Sequence, residues 1–390
     1  MRIYLDYAAT TPLDQRVADA MRDFELKYFG NPSSQHREGQ QARAEIDFAR
    51  AKVAKFLFCK PQEIIFTSGA TEANNLAIQG VINSHIKNYK IKPHVITTKL
   101  EHQSVYNTIQ ELQSRGVIEA TFVSPSSNGL IQADDIIGAI KDNTVLVSCI
   151  FVSNEVGSIL PVREIGQALL RLQPTTYNLK PIFHVDAVQA AKFYNCNVEK
   201  LNCDLLTLSA HKLYGPKGIG ALFVKKGLKI ANLTLGGSQE YGLRPGTQNT
   251  SGIIGMAKAI ELLGSLDDRS EAAQNITKLR DQLISSVKNG ILNGPTGEAR
   301  TCDNTSFTFF GLDQDTLITA LDLEGIAAST GSACVSGSSK PSHVLEALGR
   351  TTGQTAATVR LSLGKLTTMA EILRAVKTLN NIVNRLEHEK

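Results

Sequence analysis

Lys212 has the most suggestive chemical setting of any residue in the sequence. It follows His211 directly and lies between an apolar run that ends at Ser209 and the Gly/Pro turn Gly215-Pro216. A lysine that is buried near other cations loses its proton more easily, and it can then form a Schiff base with an aldehyde. Because most lysines are only solvated surface groups, this interpretation needs support from elsewhere in the chain.

Two other segments supply groups that an anionic cofactor needs. In Thr67-Ser68-Gly69-Ala70-Thr71-Glu72, small residues between a predicted strand and a predicted helix would let backbone N–H groups approach an anion. Taken alone, this segment favours an ordinary helix start, with Ser68 or Thr71 as the N-cap. Asp186 ends the apolar run 182–185, where a carboxylate could pair with a protonated ring nitrogen or, equally well, cap a helix.

Together the three segments favour a pyridoxal-phosphate site. Such a site requires a lysine for covalent attachment, a carboxylate partner for the pyridinium nitrogen and a cradle for the phosphate. Lys212, Asp186 and the segment around Gly69 supply one of each in a single alternating α/β chain. The residues therefore predict pyridoxal 5'-phosphate as cofactor, and the cysteine and histidine spacings predict no metal site.

Cys334 is the cysteine that we predict to be reactive. It lies in the Gly/Ser-rich segment TGSACVSGSSKPS, unlike the usual buried cysteine, which behaves as a small hydrophobic residue. A thiol exposed on such a loop could both attack a substrate and transfer the group it has taken up to an acceptor. We predict structural roles for the other cysteines, which lie in apolar or strand-like contexts: Cys59, Cys149, Cys196, Cys203 and Cys302.

Arg360 interrupts the apolar run 358–363. An arginine buried in a strand is costly unless it is paired, so we expect it to meet a carboxylate. That carboxylate could belong to a substrate, held by a bidentate clamp, or to a structural ion pair, and sequence position alone does not decide between them.

The elements that position these residues follow an α/β pattern. Short apolar runs alternate with amphipathic segments, including predicted helices over 41–58 and 72–86. This alternation predicts right-handed βαβ crossovers and a mostly parallel central sheet with helices on both faces. The predicted strands are 63–67, 94–97, 117–123, 145–150, 182–185, 205–208 and 219–224.

The pattern changes after about residue 252, which predicts a smaller α+β C-terminal domain. Predicted helices cover 253–263, 270–288, 314–324 and 369–388, and predicted strands cover 305–310 and 358–363. We expect a large cofactor-binding domain over 15–260. A small domain, formed by 1–14 with 261–390, would carry the loop that contains Cys334.

Composition and charge exclude several classes of function. Among 390 residues, 41 Lys+Arg nearly balance 37 Asp+Glu, and no basic block suggests nucleic-acid binding. The longest apolar run, near 145–152, is far short of the ~20 residues that cross a bilayer. Asp6 lies where a signal peptide would need an apolar centre, and no C-x-x-C pair suggests a disulfide framework. We therefore expect a cytoplasmic location.

The chain resembles the NifS/IscS-type cysteine desulfurases of the class-V aminotransferase family, which have the fold type I of pyridoxal-phosphate-dependent transferases. The resemblance spans almost the whole sequence and keeps the order of the family's motifs: YLDYAATTP, FGNPSSQH, FTSGATEANN, LEH, VSNEVG, HVDAVQ, LSAHKLYGPKGIGAL, RPGTQN, STGSACVSG and VRLSLG. The GSAC form differs from the SufS-like group, whose cysteine lies in an R-x-G-H-x-C context.

The resemblance implies cofactor roles for the matching residues. Lys212 would bind pyridoxal phosphate covalently, Asp186 would pair with the ring nitrogen, and His102 would stack on the ring and move protons. The ring oxygen would be hydrogen-bonded by Gln189 and Asn154. The phosphate would be held by Ala70, Thr71, Ser209 and His211, with Thr247 reaching across from the second subunit of a homodimer.

The resemblance also implies the reaction and its partners. Asn154 and Arg360 would bind the carboxylate of L-cysteine, and Cys334 would attack the substrate sulfur. The products would be L-alanine and a persulfide on Cys334, which passes to an iron–sulfur scaffold or another sulfur-acceptor protein. Neither direct nucleic-acid binding nor membrane binding is implied.

Alternatives to this function remain at this point. Selenocysteine lyase activity is a close variant, and another fold type I enzyme, such as an aminotransferase or a β-lyase, would act without Cys334. A cofactor-free scaffold or sulfur carrier belongs to a different class. The presence of both Lys212 and Asp186 argues against that last alternative.

Overall fold

The computed structural model describes residues 2–89, 91–173, 180–330, 342–350 and 355–388. Cys334 lies outside the described residues. Among those residues the chain forms twelve β-strands: β1 (Ile3–Tyr4), β2 (Ile64–Thr67), β3 (His94–Thr98), β4 (Glu119–Val123), β5 (Thr144–Ile150), β6 (Ile182–Asp186), β7 (Leu205–Ser209), β8 (Gly220–Val224), β9 (Ile291–Leu292), β10 (Asn304–Phe310), β11 (Ile326–Ala327) and β12 (Ala356–Ser362).

The same residues form twelve α-helices: α1 (Gln15–Lys27), α2 (Arg37–Leu57), α3 (Ala70–Asn88), α4 (Gln103–Ser114), α5 (Ala133–Ile137), α6 (Val162–Arg171), α7 (Val198–Leu201), α8 (Thr250–Leu262), α9 (Leu266–Ser286), α10 (Gln314–Leu323), α11 (His343–Ala347) and α12 (Met369–His388). The helix predicted over 369–388 agrees residue for residue with α12. Every helix in this part of the chain is too short or too polar to cross a membrane.

Seven strands form the central sheet in the order β2-β8-β7-β6-β5-β3-β4. From β7 to β4 all neighbours are parallel, whereas β8 is antiparallel to both β7 and β2. This topology confirms the predicted mostly parallel sheet. The exception has a simple cause, because residues 210–219 connect β7 to β8 without the helical crossover that a parallel return requires.

Both faces of the sheet are covered by helices, as predicted. Ile64 and Phe66 of β2 pack in a core with α2, α6 and α8, whereas Ile65 packs in a second core with α3 and α4. Alternate residues of a strand point to opposite faces, so both sets must be apolar when both faces are covered. This explains why β5 is buried at all seven positions.

A third core joins the two chain termini. The antiparallel sheet β12-β10-β9 packs against α9, α10 and α12, and Leu5 belongs to the same core as Phe307 and Val359. Strand β1 pairs in parallel with β11, which brings the N-terminal segment onto the C-terminal part of the chain. Val344 of α11 packs instead in the core of the central sheet. The division into 15–260 and 1–14 with 261–390 stays a prediction.

Candidate active site

A cavity of about 550 Å³ opens at the C-terminal ends of β5, β6 and β7. Loops that follow parallel strands meet at this edge of an α/β sheet, where such proteins bind their ligands. Ten of the predicted site residues line the cavity: Ala70, Thr71, His102, Asn154, Asp186, Gln189, Ser209, His211, Lys212 and Arg360. The tertiary structure thus brings together residues that are up to 290 positions apart (360 − 70 = 290).

The start of α3 forms one wall of the cavity. Its N-cap is Gly69, and no side chain of the described residues caps the helix, so the expected N-cap at Ser68 or Thr71 is wrong. The amides of this first turn are therefore left for another acceptor, and the helix dipole favours an anion there. Gly220 on β8 allows the loop to lie this close, because a Cβ there would come within 2.7 Å of the Gly69 carbonyl carbon.

Asp186 is the last residue of β6 and is 2 % exposed. The backbone N–H of Val188 donates to Oδ1 at 3.0 Å, and Asn74 Nδ2 donates to Oδ2 at 2.8 Å. No helix begins at this position, so the alternative role of Asp186 as a helix N-cap is wrong. The two donors hold a carboxylate at the cavity wall.

Lys212 lies in the short 3-10 turn Ala210–Lys212 that follows β7. Its Nζ donates to the carbonyl oxygens of Ala8 and Ala9 at 2.5 and 2.6 Å. The neighbouring His211 is half-buried, and burial together with the Lys212 and Lys217 charges lowers the pKa of His211 to about 4. The N-terminal segment therefore supplies the oxygens that hold the lysine amine in the cavity.

His102 precedes α4 and acts as its N-cap. Its Nδ1 lies 2.8 Å from Ser104 Oγ and accepts the Ser104 backbone N–H at 3.1 Å. Burial lowers the pKa of His102. The ring is thus neutral, and hydrogen bonds at Nδ1 hold it in place.

Arg360 on β12 is 1 % exposed and has the carboxylate partner that its burial predicts. Its Nη2 donates to Asp6 Oδ1 at 2.9 Å, and its Nη1 donates to the Asn154 carbonyl oxygen at 3.0 Å. The guanidinium also lines the cavity. One arginine therefore makes the structural ion pair and remains positioned beside the ligand space.

Two buried carboxyl groups next to the site had no predicted role. Glu101 is 0 % exposed, and Glu155 is 3 % exposed and lines the cavity. Burial raises the pKa of Glu101 to about 8 and raises the pKa of Glu155. Ser342, at the end of the segment that contains Cys334, donates to Glu155 Oε2 at 2.5 Å. The sequence gives only a weak signal for these two glutamates, which is that each lies next to a predicted site residue, His102 or Asn154.

Two predicted site residues do not line the cavity. Thr247 is exposed in the segment before α8, and Cys334 lies outside the described residues. The five remaining cysteines are free, and four of them are buried. Within the described ranges, no group of three or more His, Cys, Asp or Glu side chains could hold a metal ion.

Comparisons with known proteins show the family of the chain. A model of the class-V aminotransferase family, described as "Aminotransferase class-V", matches residues 3–374. The chain belongs to this family. It is 42% identical over 388 residues to "Cysteine desulfurase IscS" of Dictyoglomus turgidum, and the match covers 98% of this chain and 95% of that relative.

Solved structures are similar over nearly the whole chain. A "NIFS-LIKE PROTEIN" superposes with a TM-score of 0.88 at 35% identity and covers 99% of this chain and 100% of its own. "SspA in complex with cysteine" has a TM-score of 0.78 at 35% identity and covers 93% of this chain and 99% of its own. These class-V relatives confirm the predicted resemblance and the predicted fold.

The described residues of this class-V chain fit pyridoxal phosphate. An anion site without a side-chain cap, a buried carboxylate and a lysine amine lie around one cavity. Asn154, which also lines the cavity, has a buried Oδ1 without a hydrogen-bond partner among the described residues. Such a buried polar atom usually has a partner, and a polar ligand would supply one.

Proposed function

We propose that this chain, a cysteine desulfurase by its full-length similarity to IscS relatives, transfers the sulfur of L-cysteine to Cys334. The observation that carries the proposal is one cavity lined by Lys212, Asp186 and Arg360 beside the uncapped start of α3. These groups match the covalent, electrostatic and anion-binding needs of a pyridoxal-phosphate enzyme acting on an amino acid.

Each of the cavity residues has a role toward the cofactor. Lys212 would attach the aldehyde, Asp186 would keep the ring nitrogen protonated, and His102 would lie on the ring face. The ring oxygen would be bound by Asn154 and Gln189, and the phosphate by Ala70, Thr71, Ser209 and His211. When bound, pyridoxal phosphate supplies an electron sink for the substrate α-carbon.

Arg360 and Asn154 would bind the carboxylate of L-cysteine. The guanidinium is held by Asp6 and by the Asn154 carbonyl oxygen, so its position is set before the substrate arrives. An arginine fixed in this way binds a carboxylate with little loss of side-chain entropy. Lys212 Nζ, now held by the Ala8 and Ala9 carbonyls, would move the α-proton of the substrate.

Transfer of the sulfur from L-cysteine to Cys334 needs no external oxidant. The Cys334 thiolate attacks the substrate sulfur, an S–S bond forms, and the carbon–sulfur bond of L-cysteine breaks. The substrate β-carbon is reduced and takes up a proton to give L-alanine, while the transferred sulfur is oxidised to the persulfide level. An acceptor thiol then takes the sulfur from Cys334, which regenerates the enzyme thiol.

Thr247 would complete the phosphate site from the second subunit of a homodimer. It is exposed and lies outside the cavity of its own chain, and the same segment exposes Leu235 (93%) and Tyr241 (56%). Exposed apolar side chains of this kind suit a subunit interface. Mixed dimers of Lys212→Ala and Thr247→Ala subunits test this: a residue acting across the interface leaves one intact site, whereas one acting within its subunit leaves none.

The sulfur acceptor would be an iron–sulfur scaffold or another thiol protein in a reducing cytoplasm. Similarity to IscS relatives supports iron–sulfur cluster assembly as the use of the sulfur. The transfer needs the Cys334 thiol and the acceptor thiol in their reduced forms, which a reducing compartment maintains.

Mass spectrometry of the holoenzyme after addition of L-cysteine tests the activity. We expect one added sulfur on Cys334 and an equivalent amount of L-alanine, and we expect borohydride to trap the cofactor on Lys212. Cys334→Ala should keep the cofactor absorption band and lose the adduct, whereas Cys59→Ala, a matched control at a half-buried cysteine, should keep both. Alanine production that is unaffected by Cys334→Ala would refute the role of this thiol.

A further inference from the structure

Asn74 connects two residues of the active site that are far apart in sequence. Its side chain is 0 % exposed, and Nδ2 donates to Asp186 Oδ2 and to Ser104 Oγ, both at 2.8 Å. The reverse orientation of the amide would set its oxygen against the Asp186 carboxylate, so the donor orientation is the one that satisfies both acceptors.

The hydrogen bonds of Ser104 fix the tautomer of His102. Ser104 Oγ accepts from Asn74, and its hydroxyl hydrogen is directed at His102 Nδ1, 2.8 Å away, because that nitrogen already accepts a backbone N–H. The backbone N–H of Ser104 also points at Nδ1, at 3.1 Å. A nitrogen that receives two donors must be an acceptor, so the ring hydrogen lies on Nε2.

We propose that Asn74 is a positioning residue of this desulfurase, which orients Asp186 and, through the Ser104 hydroxyl, reinforces the neutral Nε2–H tautomer of His102 that the Ser104 backbone N–H sets. This inference rests on the proposed function, in which both residues contact the cofactor. His102 then offers a hydrogen-bond donor at Nε2 and cannot accept a proton at Nδ1 without breaking two hydrogen bonds.

The charges around His102 fit this assignment. Asp186 favours a protonated ring, whereas Lys212 and Arg360 oppose it, and burial lowers the pKa of His102 further. The neighbouring imidazoles of His211 and His343 also interact with His102. The net effect lowers the pKa of His102, which agrees with a neutral ring whose Nδ1 accepts hydrogen bonds.

The variant Asn74→Leu tests the inference in the full-length protein. Leucine has nearly the same shape; it removes both Nδ2 hydrogen bonds, but Asp186 keeps its bond from the Val188 N–H, so we expect the fold to be kept. ¹⁵N NMR of the histidines, with the His102 signal assigned from His102→Gln, should show the Nε2–H form in the wild type. In Asn74→Leu the Ser104 backbone N–H still donates to Nδ1, so we expect the same tautomer with a titration midpoint raised by about one pH unit, because the Ser104 hydroxyl is then free to accept from a protonated ring.

Kinetics of the holoenzyme provide a second measurement. We expect Asn74→Leu to lower kcat for alanine formation by about 10-fold with little change in KM, since the carboxylate-binding Arg360 is untouched. Gln79→Leu on the same helix is the matched control, because its amide donates to Asn75, and neither residue lines the cavity. Ser104→Ala, which removes the hydroxyl donor to Nδ1, should also raise the midpoint, and Ser104→Thr, which keeps the hydroxyl, should restore the wild-type midpoint.

An unchanged His102 titration midpoint and an unchanged kcat in Asn74→Leu would overturn the inference. If that variant fails to fold, the Ser104→Ala and Ser104→Thr pair decides the same question. NMR of the cofactor-free protein separates the two proposals: a wild type that binds no cofactor would refute the proposed function, while the His102 titration midpoint would still report on Asn74.

Discussion

Replacing Glu101 by glutamine should stabilise the protein at neutral pH. The Glu101 carboxyl is 0 % exposed, and one of its oxygens accepts from Thr98 Oγ1 at 2.7 Å and from the Ile150 N–H at 2.9 Å. Burial, together with the nearby Asp186 charge, raises the pKa of Glu101 from 4.5 to about 8 despite these two donors. The folded protein therefore holds a neutral acid beside His102 at pH 7.

The magnitude follows from proton linkage. Between pH 4.5 and about 8 the folded state binds more protons at Glu101 than the unfolded state, so stability falls as the pH rises. At ~1.4 kcal/mol per pKa unit, the full window corresponds to roughly 5 kcal/mol, of which about 3 kcal/mol is lost by pH 7. Glutamine keeps the shape without a titrating proton, so the stability of Glu101→Gln does not fall with pH through this group.

Urea unfolding of the wild type and of Glu101→Gln at several pH values measures the difference. We expect similar midpoints near pH 4.5 and an advantage for the variant that grows steadily toward pH 8. Glu111→Gln, at an exposed glutamate on α4, controls for the loss of one carboxyl group. A variant that is less stable at every pH, or a difference that does not change with pH, would refute the reasoning.

Three further predictions concern the cofactor loop, a buried ion pair and the cysteines. Gly220→Ala should weaken cofactor binding by about 10-fold in an absorbance titration, because its Cβ would push against the backbone of Gly69, 2.7 Å away; unchanged affinity would contradict this. Lys192→Met should lower the free energy of unfolding by roughly 3–5 kcal/mol, since it leaves the buried Asp303 carboxylate without its cation. A Lys192→Met/Asp303→Leu double variant should recover most of that loss. Iodoacetamide at neutral pH should spare all five described cysteines until urea is added, because burial raises the pKa of each thiol, as peptide mapping would show.

Much of the fold could be predicted because the relevant patterns are local. The strands of the central sheet contain short apolar runs, and the structure places β5 and β6 within one residue of their predicted bounds. Helix α12 has a clear amphipathic period over its whole length. The two-residue strands β1, β9 and β11 were missed, since so short a segment carries no periodicity and forms only because a partner strand is adjacent.

The amino-acid sequence by itself determined which groups could do chemistry and where each one lies along a strand or helix. Asp186 and Lys212 could be chosen because they follow apolar strands in an alternating α/β chain. Only the tertiary structure decided the partners: Asp6 meets Arg360 across 354 positions, and Asn74 meets Asp186 across 112. It also left the start of α3 without a side-chain cap, where the sequence offered two capping residues. The physical reason is that periodicity and capping act over a few neighbouring residues, whereas buried polar groups take whichever donors and acceptors the packed sheet brings within reach.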